Sequence, residues 1–159
     1  MVVLKIILII ALFGILYQDI KERQVYWFLF PIVGISAGLL FYLNTLPELF
    51  LLTVSINLIF VIIMLVVLFA YVKIRMRSKF KDVFGIGDLL LFLMLCFSFS
   101  NMSFYVIFIS GLISSLVLHL IINKKRKEND VPLAGYMSGF FLLTFLSFWL
   151  GIINDLYSL

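Results

Sequence analysis

Between Glu48 and Lys73 the chain carries no charged side chain. A helix needs about 20 predominantly apolar residues to cross the roughly 30 Å hydrocarbon core of a bilayer, and this stretch is long enough. Further apolar runs cover about residues 2–18, 27–43, 86–100, 103–122 and 133–153. The region from Val83 to Asn123 carries one charge, Asp88, and is too long for one crossing. Ser100, Asn101, Met102 and Ser103 are polar or turn-forming enough to divide it in two. Hydrophobic residues make up 65% of the 159 and charged residues 13%. Ordinary soluble domains are about 45–50% apolar and about 25% charged. Lipid must therefore be part of this chain's solvent. In lipid every backbone polar group needs an internal partner, which favours helices. The expected fold is all-α: a polytopic membrane protein of six transmembrane helices, one membrane-embedded domain over residues 1–159. The first run, Val2 to Leu16, resembles a signal peptide, but no small-x-small cleavage site follows, so it reads as a retained first span.

Charge placement orients the bundle. Lys21 and Arg23 follow the first run. Lys73, Arg75, Arg77, Lys79 and Lys81 follow the third, and Lys124, Lys125, Arg126 and Lys127 follow the fifth. Of the 12 basic residues only Lys5 lies on the other side. Positive loops stay cytoplasmic, so both termini are expected on the extracytoplasmic side. Spread between apolar runs in this way, the net charge of +4 reads as topology rather than as a nucleic-acid surface. Trp27 and Trp149 suit interfacial belts at opposite faces.

Chemistry-bearing residues are few. Cys96 is the one cysteine and His119 the one histidine, which leaves no disulfide and no Cys- or His-rich metal site. No cofactor and no metal is expected. Cys96 reads as a small apolar residue, and His119 as a packing or interfacial one. Asn57 and Ser55, mid-run in the third span, read as interhelical hydrogen bonders. Small residues four apart, at Gly34/Gly38, Gly111/Ser115 and Gly135/Gly139, allow close helix approach or simply reflect ordinary membrane glycine usage.

Six of the acidic residues fall in loops, tails or span ends; Asp19 and Asp88 do not. A carboxylate at membrane depth costs about 2.5–3.5 kcal/mol on insertion scales and normally faces the bundle interior for a purpose. Alone, Asp19 reads as a partner for Arg23 one turn on, and Asp88 as a helix N-cap. Together, both fall near the cytoplasmic face, one at the end of the first span and one near the start of the fourth. Two such carboxylates that meet share one proton, so one serves as base toward water and the other as acid toward a carbonyl.

Asp88 closes the segment Gly85-Ile86-Gly87-Asp88, a GxGD, and Asp19, Lys21 and Arg23 form an Asp-x-Lys-x-Arg after the first span. Over roughly Gly14 to Phe97 the chain resembles the type IV prepilin peptidase and preflagellin peptidase family of GxGD intramembrane aspartyl proteases. A weaker echo lies at Val131-Pro132-Leu133. The resemblance implies six membrane helices and catalytic aspartates at Asp19 and Asp88. Gly85 and Gly87 would border an extended substrate strand. The implied activity is removal of a short basic leader from pilin-like precursor proteins, at the cytoplasmic face of the inner (plasma) membrane. The cysteine-bearing segment of larger, methylating members has no counterpart here. Departures are Tyr26 and Trp27, where the family has a Pro-Asn or Pro-Asp pair, and Leu90, where a lysine commonly follows the GxGD. Two rival readings are a catalytically inactive assembly factor that binds pilin helices, and a small proton- or cation-coupled transporter using the same aspartates.

Overall fold

A computed structural model describes residues 1–76, 85–123, 132–153 and 156–157. Arg77, Lys79, Lys81, Lys124, Lys125, Arg126, Lys127 and Val131 lie outside the described residues. The described residues form six helices: α1 (Val2–Glu22), α2 (Leu29–Tyr42), α3 (Pro47–Tyr71), α4 (Ile86–Leu95), α5 (Asn101–Asn123) and α6 (Leu133–Trp149). No strand occurs among them. α3 runs on into a π-helical turn, Val72–Met76. α1, α3 with its extension, and α5 are long and apolar enough to cross a membrane, and α2, α4 and α6 are shorter apolar helices. The described residues are all-helical, with three helices suited by length and composition to a membrane.

Local chemistry sets most helix ends. Pro47 opens α3 in its first turn, where its missing N–H costs no hydrogen bond. Pro31 sits in the first turn of α2 for the same reason. α1 runs to Glu22, four residues past the expected end at 18, and stops where Arg23 adopts a left-handed conformation (φ 56°). Asp19 is therefore inside a helix, one turn before its close.

α4 is the main departure. Expected over 86–100, it ends at Leu95, and the turn falls at Cys96–Ser100 rather than at Ser100–Ser103. Asn57 of α3 explains this. Its side-chain amide donates to the carbonyls of Cys96 (3.2 Å) and Phe99 (3.1 Å), satisfying groups that a longer helix would bond internally. Asn57 is the interhelical hydrogen bonder expected. Ser55 is not: its hydroxyl donates to Leu51 O of its own helix. Cys96 is fully buried, as a small apolar residue should be.

The core draws on all six helices, with Val61 from α3 and Phe104 and Phe108 from α5 joining the side chains of α1, α2, α4 and α6. Leu8, Leu12 and Ile15 of α1 are buried, so the first apolar run is a packed core element. Phenylalanines dominate elsewhere: Phe99 stacks on Phe145 (centroids 4.9 Å apart) and Phe92 meets Phe108 edge-on (4.9 Å). All three small-residue pairs lie on helix seams. A Cβ at Gly34 would sit 2.6 Å from Met94 Sδ, one at Gly38 3.3 Å from Phe97 Cβ, and one at Gly111 3.3 Å from Phe140 Cδ1. At the end opposite Trp27, Lys5 Nζ lies 5.0 Å from the Trp149 ring centroid, a cation–π contact. That pairing sets the start of α1 beside the close of α6.

Near this end Tyr157 is wedged against Phe41 and Phe148, and its buried hydroxyl has no hydrogen-bond partner among the described residues. An unmade buried hydrogen bond costs about 1–3 kcal/mol. Tyr157→Phe should leave the unfolding midpoint in detergent unchanged or raise it. A clear drop would show that the hydroxyl has a partner.

Candidate functional site

Asp19 on α1 and Asp88 on α4 meet at the first turn of α6. Asp88 Oδ1 accepts the Ala134 N–H at 2.7 Å, and Asp19 Oδ2 accepts the Gly135 N–H at 2.5 Å. These are consecutive residues. Successive amide nitrogens of an α-helix lie about 3 Å apart, so the two accepting oxygens are at most about 8 Å apart. At that separation a charge on one carboxyl disfavours a charge on the other. Both carboxyl residues are half-buried, while Ala134 and Gly135 are buried.

The reason for the meeting lies in α6. A helix start leaves its first N–H groups without intrahelical acceptors, and the aligned peptide dipoles make that end positive. α6 begins after Pro132, which offers no side-chain cap. Asp19 and Asp88 supply the missing acceptors from two other helices. The C-terminal turn of α1 and the N-terminal turns of α4 and α6 thus converge at one end of the bundle, with two carboxyl groups on one positive helix terminus.

The two glycines of the GxGD act differently. Gly85 precedes α4 in extended conformation (φ −70°, ψ 143°), is exposed, and donates its N–H to Asp88 Oδ2 at 3.3 Å. A Cβ there would approach Asp88 Oδ2 to 3.1 Å. Asp88 is therefore not the N-cap of α4; it is the third residue of the helix, reaching back to the residue before it. Gly87 lies within the first turn and packs on Phe30 of α2, whose Cζ would be 3.3 Å from an added Cβ. Its missing side chain lets α4 settle on α2. Asp19 also feels the charge of Arg23, its neighbour one turn on.

Ala134 and Gly135 as binding partners escaped the sequence reading. The available signals were a helix start with no Ser, Thr, Asp or Asn to cap it, and a Gly135/Gly139 pair that looked like packing alone.

Beside the site a cleft of about 410 Å³ runs along α1, lined by Phe13, Leu16, Tyr17, Ile20 and Lys21. Lys21 Nζ donates to the Tyr17 hydroxyl at 2.8 Å and so closes one end with a cation. Leu16 links cleft and site: it lines the cleft and packs on Gly139, one turn along the seam from the Asp19–Gly135 contact. Tyr26 and Trp27, at the departure from the family pattern, are exposed; the Tyr26 N–H is held by Gln18 Oε1 at 3.1 Å. Among the described residues no three His, Cys, Asp or Glu side chains gather as a metal cage would require.

No known family profile, no curated protein and no solved structure matches this chain.

Proposed function

We propose that the protein is an intramembrane aspartyl endopeptidase that removes the basic leader of prepilin-like precursors. Its six helices form a bundle in the inner membrane with both termini outside and the two aspartates near the cytoplasmic face. The observation that carries this reading is the gathering of Asp19 and Asp88 on consecutive N–H groups of one helix turn. A carboxyl pair at this separation, half-buried at one end of the bundle, has the parts for peptide hydrolysis.

The chemistry is that of a shared proton. One carboxylate takes a proton from water as the water oxygen bonds to the scissile carbonyl carbon. The protonated partner gives its proton to the carbonyl oxygen, forming a tetrahedral diol. The C–N bond then breaks as a proton passes to the leaving nitrogen, releasing a carboxylic acid and an amine. The pair ends with one proton, as it began. The precursor's apolar helix would lie in the bilayer against the bundle, in the α1 cleft that borders the dyad. Exposed, extended backbone at Gly85 offers an edge along which the leader junction can align.

The test is co-expression with a precursor that carries a short basic leader before an apolar helix, followed by N-terminal sequencing of the product. Cleavage at the leader junction supports the proposal. An intact precursor that still co-purifies with the bundle points instead to an assembly factor. Aspartate-dependent proton or cation flux in proteoliposomes, without cleavage, points to a transporter.

A further inference from the structure

We propose that Gly135 is a positioning residue for the aspartate pair: having no Cβ, it lets Asp19 close onto the start of α6 beside Asp88. This rests on the peptidase reading for its kinetic consequence, though not for its geometry.

A Cβ built on Gly135 would lie 3.0 Å from both the Cβ and Oδ2 of Asp19, and 3.4 Å from its Cγ. Side-chain Cβ atoms essentially never come under 3.0 Å, and this contact sits at that limit. The Cβ of Asp19 is one bond from the α1 backbone, so it cannot rotate aside as a flexible tip does. Relief requires α1 to back away from α6 or the Asp19 carboxyl to leave the Gly135 N–H. Either movement separates Asp19 from Asp88, which stays held by Ala134 and Gly85.

One turn along, the same seam supplies a matched control. A Cβ on Gly139 would meet Leu16 Cδ1 at 3.1 Å. That atom is the far end of a flexible side chain, which can turn away without moving the α1 backbone. G135A and G139A thus add the same methyl group to the same helix and the same interface. They differ in what the methyl group meets.

Misplacing reacting groups by about 1 Å can cost on the order of 100-fold in rate. G135A should lower kcat for leader removal roughly 10- to 100-fold. G139A should keep kcat within about twofold, and any effect it has should fall on KM, because the Leu16 side chain it displaces also lines the α1 cleft. A second readout needs no activity. In a Cys96→Ala background, cysteines at positions 19 and 88 are cross-linked in native membranes by a short bis-thiosulfonate. The cross-link should form several-fold more slowly with G135A and at an unchanged rate with G139A.

Equal behaviour of the two glycine variants in cross-linking would overturn the proposal. If wild-type protein cleaves nothing while the cross-linking contrast holds, the peptidase reading fails and the positioning role stands. If G135A does not accumulate, adding Asp19→Gly removes all three of its close contacts. Recovery by Asp19→Gly and not by Leu16→Ala supports the proposal, and recovery by neither overturns it.

Discussion

Asp19→Asn and Asp88→Asn should each reduce leader cleavage at least about 10²–10⁴-fold, the range general acid–base catalysis supplies, with no loss of the folded bundle. An amide cannot exchange the shared proton in either direction, so the loss should be near total in both variants. The double variant should be scarcely worse than either single one, since the two groups act as a unit. Folding should survive because asparagine matches aspartate in shape and keeps an oxygen to accept the α6 N–H groups that now bind the carboxylates. Precursor and product masses from membranes measure the cleavage. The unfolding midpoint of purified protein measures the fold, and a change within about 1 kcal/mol is expected. Asp19→Ala and Asp88→Ala serve as the contrast: equally inactive, yet less stable, because each leaves an α6 donor without its acceptor. Normal processing by either asparagine variant would remove the aspartates from the mechanism.

The largest effect on stability alone is expected at Asn57. Interhelical hydrogen bonds in membrane proteins average about 0.6 kcal/mol in double-mutant cycles, which argues for a small cost. Asn57 differs from that average. It is fully buried and serves two carbonyls at once, those of Cys96 and Phe99, where α4 ends early. Asn57→Leu takes the amide donor from both, amid Phe99, Phe104 and Phe108, all fully buried. Losing that donor brings the expected loss to about 1–3 kcal/mol. Ser55→Ala, two residues away on the same helix, should change stability by less than about 0.5 kcal/mol, since its hydroxyl faces outward and bonds only its own turn. Unfolding midpoints in one detergent compare the two directly. Equal effects would show that the α4–α5 turn does not depend on the Asn57 amide.

Leucine, valine, isoleucine and phenylalanine in runs of about 20 leave a chain in lipid little choice but helix, so five of the six elements lie close to where the apolar runs put them. α3 is the plainest case, expected over 48–72 and found over Pro47–Tyr71. Asp19 and Asp88 could be singled out for a related reason, since a carboxylate inside an apolar run is expensive and stands out against its neighbours. Their common depth followed from counting helix turns from each end.

Interactions between distant residues were not legible. α4 stops at Leu95 because an amide 39 residues earlier in the chain caps its carbonyls, and nothing within Cys96–Ser100 announces that partner. α6 has no cap of its own, and its acceptors come from residues 116 and 46 positions before it. Gly135 looked like one more small residue until its neighbour proved to be Asp19 rather than lipid. Apolar patterning acts through the solvent, residue by residue, and can be read along the chain. Hydrogen-bond satisfaction at helix ends is settled in space, by whichever side chains the packed helices bring there, and only the folded bundle determines which ones they are.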